Sequence, residues 1–373
     1  MAPFKSTDGR NLGKFLRSYL TNNIGGTLRS GVSGKFTVTG GTKFSAGDYT
    51  YHVFTSPGSI TLESGDAITF TDTLLVAGGG GGGGGYYGGG GGAGGVVHIQ
   101  SWEVTSTEYG GSNNIQFTVE VGDKGDGGPA TDNSGSGTNG GNSSISYFPG
   151  TPSEKTWRAI GGGGGGGRGQ TARQGGSGGG TGLPKSTDYE STGNPTVYGT
   201  QPDQTYTGFP GTSGNVEDTY TFTHYGNNGG YPAYGSGGGG SNADSNFGGG
   251  VPGPTVIGSN PKGPSINRGG GDAQPFPAFP APVLSPYVPE IPGPRWTDVG
   301  PDGLYAAGGG GGAYPAPGQA YAGGLGGGGD GGNGSGNGQA AGGIGCGGGG
   351  GYPDSGEGAD GSPGVVILRY VAG

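Results

Sequence analysis

The sequence predicts a protein that is mostly β and irregular. We expect a short N-terminal amphipathic helix, a small antiparallel β-domain, and a polyglycine II helix bundle with long variable loops, closed by a C-terminal strand. Glycine accounts for 106 of the 373 residues and proline for 27, whereas only 28% are hydrophobic, too few for a conventional core along the whole chain. Aromatic residues still reach 10%. Strand patterns also flank the glycine runs, which argues against a disordered linker.

Residues 1–34 form the expected helical attachment arm. Apolar residues between positions 9 and 24 recur with helical spacing, but an isolated helix of this length is marginal in water. Residues 1–35 carry six basic residues against Asp8 alone, and the remainder carries 11 basic and 25 acidic residues. We therefore expect the arm to dock on an acidic partner surface in a larger assembly; packing on its own β-domain is the alternative. The docking candidates are Leu12, Lys14, Phe15, Leu16, Arg17, Tyr19 and Leu20.

A β-domain is predicted for residues 35–76. It is completed by residues 96–122 and by a C-terminal strand, residues 364–371, within the final segment 364–373. These stretches alternate or concentrate β-branched and aromatic residues, with Gly, Pro, Ser and Asp at the breaks. GVVHI and GVVILRY each follow a glycine run. The chain is therefore expected to leave a sheet, pass through glycine and return, with its first and last glycine runs side by side.

Residues 77–363 are predicted to form the glycine-rich bundle. An extended helix with three residues per turn has no internal hydrogen bonds, so its amide and carbonyl groups point outward and need neighbouring helices as partners. A side chain between two such helices would push them apart. Interior positions should therefore be glycine, and we expect this structural role for Gly80, Gly164, Gly310 and Gly349. The runs show neither a fixed repeat length nor glycine at every third position, which argues against a solenoid and against collagen.

Two long inserts interrupt the glycine runs. Residues 183–234 are rich in Tyr, Thr and Pro, as expected of a variable loop. Residues 251–301 hold 13 prolines, which favours an extended polyproline-like conformation. Apolar residues within this second insert indicate that it lies on a surface of the protein.

No motif in the sequence indicates an enzyme. His52, His98 and His224 lack metal-ligand spacing. Structural roles are expected for His52 and His98, which lie in predicted strands, and for Cys346, which lies among glycines without an identifiable base. The GxGxxG matches lie in glycine runs without a βαβ unit. GGGGDGGNGSGNG only faintly resembles a calcium-binding repeat, and a glycosidase carboxylate pair stays open. We expect no catalytic residue, no metal and no cofactor.

Aromatic residues beside the glycine runs are the candidates for recognition. Tyr86 and Tyr87 interrupt the first run, and other aromatic residues, Tyr352 among them, border later ones. Tyr and Trp offer large contact areas with few rotatable bonds, as recognition surfaces require. Packing against the flanks of the bundle is the alternative role. The receptor-contact candidates are Tyr86, Tyr87, Trp157, Tyr231, Tyr234, Trp296 and Tyr314.

Over roughly residues 50–373 the sequence resembles the glycine-rich adhesins at the tips of tailed-phage long tail fibres, and related glycine-rich virion proteins. The runs AGGGGGGGG (77–85), GGGGGGG (161–167), GGGGG (308–312) and GGGGG (347–351) carry this resemblance, together with the strand patterns around LLVAGGGGGGG and GVVILRY. The family implies a polyglycine II bundle whose hypervariable loops contact the host receptor. The basic N-terminal arm does not match a fibre-tip adhesin.

The sequence therefore leads us to expect a non-enzymatic phage virion structural protein, foremost a receptor-binding adhesin. A purely structural virion component, such as a capsid fibre, decoration, neck or baseplate protein, is the first alternative; an ice-binding or matrix protein is the second. The expected partners are other virion proteins through the arm and a host-surface protein or glycan through the loops, with self-association left open. We expect no nucleic-acid partner and no membrane insertion. The start of the chain lacks a signal-peptide pattern, so we expect synthesis in the host cytoplasm and residence in the virion.

Overall fold

In the computed structural model the described residues are 35–107, 109, 114–130, 135–147, 155–182, 221–230, 236–242, 269–289, 296–312, 321–333, 336–353 and 355–372. The expected N-terminal helix and all docking candidates from Leu12 to Leu20 lie outside these ranges. Tyr231, Tyr234 and Tyr314 also lie outside them.

Two antiparallel sheets form the base of the protein, in agreement with the predicted mostly β fold. One sheet has the strand order β1-β4-β7-β8-β9, and the other has the order β10-β6-β5-β13-β3-β2. The strands are β1 Thr37–Thr39, β2 Thr42–Ala46, β3 Tyr49–Phe54, β4 Gly58–Glu63, β5 Ala67–Val76, β6 Val96–Thr105, β7 Asn114–Glu120, β8 Ser143–Tyr147, β9 Lys155–Ala159, β10 Thr221–Tyr225 and β13 Val365–Val371. A third, two-stranded sheet pairs β11 (Gln274–Pro275) with β12 (Leu304–Tyr305).

The two large sheets pack face to face around one apolar core. Phe70 of β5, Trp102 of β6 and Phe117 of β7 are fully or almost fully buried there and contact one another through their rings. The terminal strand β13 lies between β3 and β5, so Val366 is opposite both Phe54 and Leu75. The sheets also include β8, β9 and β10, which sequence patterns alone placed in the glycine-rich region.

The proline-rich insert covers the outer face of the six-stranded sheet. Phe276, Phe279 and Leu284 are buried in a second apolar core against residues of β3, β5 and β13. The expected extended conformation is wrong at two places, because helices α1 (Ala281–Leu284) and α2 (Trp296–Val299) form there. Proline is tolerated in the first turn of a helix, where its missing N–H has no intrahelical partner.

The first glycine run, residues 77–85, is a three-residue-per-turn helix. The amides of Gly78, Gly81 and Gly84 donate to carbonyls of residues 141, 138 and 135, at N···O distances of 3.0, 3.0 and 2.6 Å. The amides of Gly79, Gly82 and Gly85 donate to carbonyls of residues 362, 359 and 356. Those of Ala77, Gly80 and Gly83 donate to residues 95, 92 and 89. Because every third amide meets the same neighbour, the three rows of donors point in three directions.

The carbonyl groups of this run point toward three further neighbours. Amides of residues 125 and 128, of 162 and 165, and of 348 and 351 donate to carbonyls of residues 78–83. Residues 77–85 are thus surrounded by six segments, three parallel and three antiparallel. The first and last glycine runs lie side by side, because Gly348 and Gly351 donate to Gly80 and Gly83.

The returning run, residues 88–95, has the same environment. Its amides donate to residues 345–351, 160–166 and 236–239, and its carbonyls accept from residues 77–83, 177–180 and 309–312. Val76 ends β5 and Val96 begins β6, so the hairpin 77–95 stands on adjacent strands and forms the centre of the bundle. At about 3.1 Å per residue, nine residues carry the chain roughly 28 Å from the sheet.

A Cβ atom does not fit at the four glycines for which a structural role was expected. It would lie 2.3 Å from the Gly163 oxygen if built on Gly80, and 2.2 Å from the Gly137 oxygen if built on Gly164. On Gly310 and Gly349 the corresponding distances to the oxygens of Tyr321 and Asp330 are 2.0 and 1.8 Å. The obstructing atoms belong to backbone, so any larger residue must displace a whole neighbouring segment.

Where residues 136–142 lie beside residues 161–167, side-chain oxygens take the place of backbone carbonyls as acceptors. The amides of Gly161, Gly164 and Gly167 donate to side-chain oxygens of Asn142, Asn139 and Ser136, at N···O distances of 2.8, 3.0 and 3.3 Å. The acceptors step by three residues, as a backbone row would. Polar side chains with the right spacing thus satisfy these amides.

We expect Gly80→Ala to destabilise the protein by about 3 kcal/mol, the upper part of the range for overpacking, because the added methyl group meets a backbone carbonyl. The matched control is Gly336→Ala, since the nearest atom to a Cβ there is the Asn333 oxygen at 3.7 Å. Urea unfolding followed by tyrosine and tryptophan fluorescence measures both. Equal midpoints for the two variants would contradict the close packing described here.

Hydrogen exchange tests the pairing of the glycine amides directly. In protein labelled with ¹⁵N-glycine, the amides of residues 78–84 and 88–92 should exchange at least about 100-fold more slowly than those of the turn glycines Gly47 and Gly169. NMR spectra recorded after transfer into D₂O measure these rates. Fast exchange throughout both runs would show that the amides are not paired.

Candidate recognition surface at the tip of the bundle

The described part of the protein has two opposite poles. At one pole the hairpin 77–95 reverses direction at residues 85–88, which we call the tip. At the other pole the Phe36 amide donates to the carbonyl of Ala67, the first residue of β5, and Ala372 donates to Asp48. The chain that follows the N-terminal arm therefore enters the domain at the end farthest from the tip.

Several other turns meet the hairpin at the tip. Gly351 donates to Gly83, and shortly after it the Gly356 amide donates to the Pro353 carbonyl in a turn, whereas Gly85 donates to Gly356. Gly166, which precedes a turn at residues 168–170, accepts from Gly89. Because these segments are paired with the central hairpin near its reversal point, their turns share one end of the bundle.

Three tyrosines form a compact cluster at the tip. The ring of Tyr86 lies 4.5 Å from Tyr87 and 5.1 Å from Tyr352, and the rings of Tyr87 and Tyr352 are also 5.1 Å apart, measured between centroids. Tyr87 and Tyr352 are buried, whereas Tyr86 is partly exposed. We call these three residues the tip tyrosines. The sequence had indicated Tyr352 only as one of several aromatic residues beside glycine runs.

A cationic group lies beside the tip tyrosines. The guanidinium carbon of Arg168 is 5.6 Å from the centroid of the Tyr86 ring, within the range of a cation–π contact. Arg168 begins the segment RGQTARQ (168–174), in which residues 169–171, 173 and 174 are exposed. Sequence analysis missed Arg168; its position directly after GGGGGGG is the signal that could have drawn attention to it.

The two tryptophans among the receptor-contact candidates are core residues. Trp157 on β9 is fully buried between the two large sheets. Trp296 on α2 belongs to the proline-rich insert and is almost fully buried in the second apolar core, where its indole Nε1 donates to the Val288 carbonyl at 3.2 Å. Neither side chain is presented to a partner, so of the described candidates only Tyr86 and its supporting neighbour Tyr87 lie at the tip.

Asp72, His98 and Arg369 form a polar network under the proline-rich insert. Asp72 Oδ1 is 3.1 Å from His98 Nε2, and its Oδ2 accepts from Arg369 Nε at 2.8 Å. Burial opposes ionisation of Asp72, but the His98 hydrogen bond and the Arg369 charge outweigh it and lower the pKa of Asp72. Arg369 also donates to the Ala278 carbonyl at 3.0 Å and lies over the Tyr49 ring. The network therefore ties the sheet to its cover.

Cys346 is a structural residue within the bundle. Its sulfur is fully buried, accepts from the Ala307 amide at 3.3 Å and donates to the Gly326 carbonyl at 3.2 Å. Burial raises the pKa of the thiol to about 12. A thiolate is the reactive form of cysteine, so this side chain is poorly suited to nucleophilic chemistry.

His52 on β3 is buried and neutral. Its Nδ1 lies 2.7 Å from the Gly40 carbonyl oxygen, and its Nε2 has no hydrogen-bond partner among the described residues. Burial lowers the pKa of His52, outweighing the hydrogen bond to Gly40. The cause is the cost of placing the imidazolium charge in an apolar site.

The lowered pKa of His52 predicts acid sensitivity. The unfolded chain takes up this proton near pH 6.5, the folded protein only at lower pH. The contribution of neutral His52 to stability is therefore complete above pH 6.5 and lost as the pH falls below it. His52→Asn, which keeps a donor near the Nδ1 position, should reduce the loss of stability between pH 7.5 and 5.0. Urea midpoints at both pH values measure this, and an unchanged pH dependence would contradict the assignment.

Within the described ranges, no group of three or more His, Cys, Asp and Glu side chains is arranged to hold a metal ion. In the same part of the chain, none of the helices has the length and apolar character needed to cross a membrane.

Comparison with protein families matches residues 55–371 to a family model described as a glycine-rich domain. The matched region begins directly after β3 and ends at the last residue of β13, so it includes the tip and most of both large sheets. A search of curated proteins found no significant match.

Proposed function

The chain belongs to the glycine-rich domain family, and we propose that it is a phage virion structural protein that acts as an adhesin. In this proposal the N-terminal arm attaches the protein to the particle and the loops at the tip bind a host receptor. The main support is the polarity of the domain, because the described chain begins at the pole opposite the tip tyrosines.

The construction of the bundle suits this role. The central hairpin is bonded on all sides to other segments of the same chain, so the positions of its neighbours are set by backbone hydrogen bonds. Only the end residues of the turns at the tip, such as Gly85 and Gly356, take part in the hydrogen-bond rows that hold residues 77–85 and 88–95 together. Their side chains are therefore open to change while the scaffold stays the same, as a surface that must match a variable receptor requires.

A purely structural virion role is the alternative, and adsorption separates the two. Purified protein should bind cells of the host and compete with phage particles for adsorption. Tyr86→Ala should weaken binding about tenfold, the effect typical of removing an important interface aromatic. Flow cytometry with fluorescently labelled protein measures binding to cells.

The control variant is Leu325→Ser. Leu325 is 72% exposed, and its amide donates to Asp272 near the base of the bundle, away from the tip. This variant should bind cells like the unchanged protein. Normal adsorption by particles that lack the protein would overturn the adhesin proposal and favour a purely structural role.

A further inference from the structure

Tyr87 at the tip has a strained backbone conformation. Tyr87 has φ of 60°, a left-handed conformation that is uncommon for residues other than glycine and costs on the order of 1 kcal/mol or more. Glycine adopts this conformation freely and is the most common residue in this protein. The turn nevertheless carries two adjacent tyrosines. Such strain is typical of functional sites, where a side chain is needed despite its cost.

The strained turn holds the Tyr86 ring in a fixed position. Tyr87 meets Tyr86 edge to face, at an interplanar angle of 87°, and Tyr352 supports both rings. Because the two supporting rings are buried, Tyr86 is the member of the cluster that reaches solvent. A rigid, partly exposed aromatic ring loses little conformational entropy on binding. It is well suited to stack against a flat apolar face, such as the C–H face of a sugar ring.

The charge beside this ring has the opposite sign to that of the protein. The chain carries a formal net charge of −9, yet the segment 168–174 contains Arg168 and the exposed Arg173 and no carboxylate. A guanidinium group binds carboxylate or phosphate oxygens through two parallel hydrogen bonds. The Arg168 guanidinium carbon is only 5.6 Å from the centroid of the Tyr86 ring, so one ligand can place an acidic group at Arg168 and a sugar ring at Tyr86.

We propose that Tyr86 and Arg168 bind a sugar that bears a carboxylate or a phosphate on the host surface. Tyr86 stacks on the sugar ring, and Arg168 pairs with the acidic group, with Arg173 extending the positive region. This inference rests on the proposed function and specifies its ligand class. Two arginines match one or two acidic groups, whereas a nucleic-acid site typically contacts about 6–10 phosphates.

Binding to extracted surface polysaccharide of the host tests this proposal. The polysaccharide is immobilised in three forms: intact, dephosphorylated with hydrofluoric acid, and with its carboxylates reduced to alcohols. Biolayer interferometry should show saturable binding of the full-length protein to the intact form. Loss of binding after dephosphorylation assigns the acidic group as phosphate, and loss after carboxyl reduction assigns it as carboxylate. Undiminished binding to both treated forms would overturn the proposal.

Matched arginine variants locate the site. Arg168→Gln should weaken binding to the intact polysaccharide at least tenfold, and Arg168→Lys should restore only part of it, because lysine lacks the two-pronged geometry. The control variant is Arg158→Gln, because Arg158 is exposed on β9 of the five-stranded sheet. This substitution should leave the affinity for the polysaccharide unchanged. Equal affinities for Arg168→Gln and Arg158→Gln would also overturn the proposal.

The result separates the ligand class from the proposed function. If the polysaccharide fails to bind while intact cells still bind and Tyr86→Ala weakens that binding, the sugar inference is wrong and the adhesin proposal stands. If neither polysaccharide nor cells bind, both are wrong.

Discussion

Every glycine helix in this protein depends on hydrogen bonds to other segments. A three-residue-per-turn helix cannot satisfy its own amides, so a single run in isolation would leave all of them to water and pay the full conformational cost of ordered glycine. Residues 77–85 avoid this by donating to three neighbours and accepting from three others. The bundle therefore forms as a whole, in the way that strands require a sheet, and the close approach of its segments leaves no room for a Cβ atom at positions such as Gly80, Gly164 and Gly349.

The two large sheets determine the register of the glycine runs, which the runs alone do not specify. One glycine is chemically identical to the next, so nothing within a run specifies which residue should face which neighbour. The strands on which the runs stand are distinct: β5 pairs with β6 and β13 through apolar residues that alternate between two cores. Fixing Val76 opposite Val96 and Val365 sets where three segments of the bundle meet the sheet. The network of Asp72, His98 and Arg369 strengthens this sheet from its covered face.

The sequence predicts those parts of the fold that have a local pattern, and it does not predict those decided by contacts between distant segments. Long β-prone stretches such as AITFTDTLLV and the closing VVILRYV are recognisable as strands from the sequence, and the lack of a fixed repeat correctly favours a bundle over a solenoid. The short strands β8 and β9, of five residues each, carry too little pattern to be recognised, and their pairing is decided by tertiary contacts. Trp157 and Trp296 border loops in sequence yet fill cores, because proximity to a glycine run does not reveal which way a side chain points. The pairing of Arg168 with Tyr86 joins residues 82 positions apart and has no signal in either local sequence.

The three-residue period of the hydrogen bonds gives each glycine run a phase, much as a codon has a reading frame. Removing one glycine between Gly78 and Gly84 would turn every later amide by about 120° and direct it to a different neighbour, although the composition would hardly change. Removing three would shorten the helix by one turn and keep all later amides on their original neighbours. Loops at the tip have no such constraint, since lengthening them adds only a slowly growing entropy cost. Variation in this protein should therefore be free in the loops and restricted to multiples of three in the runs.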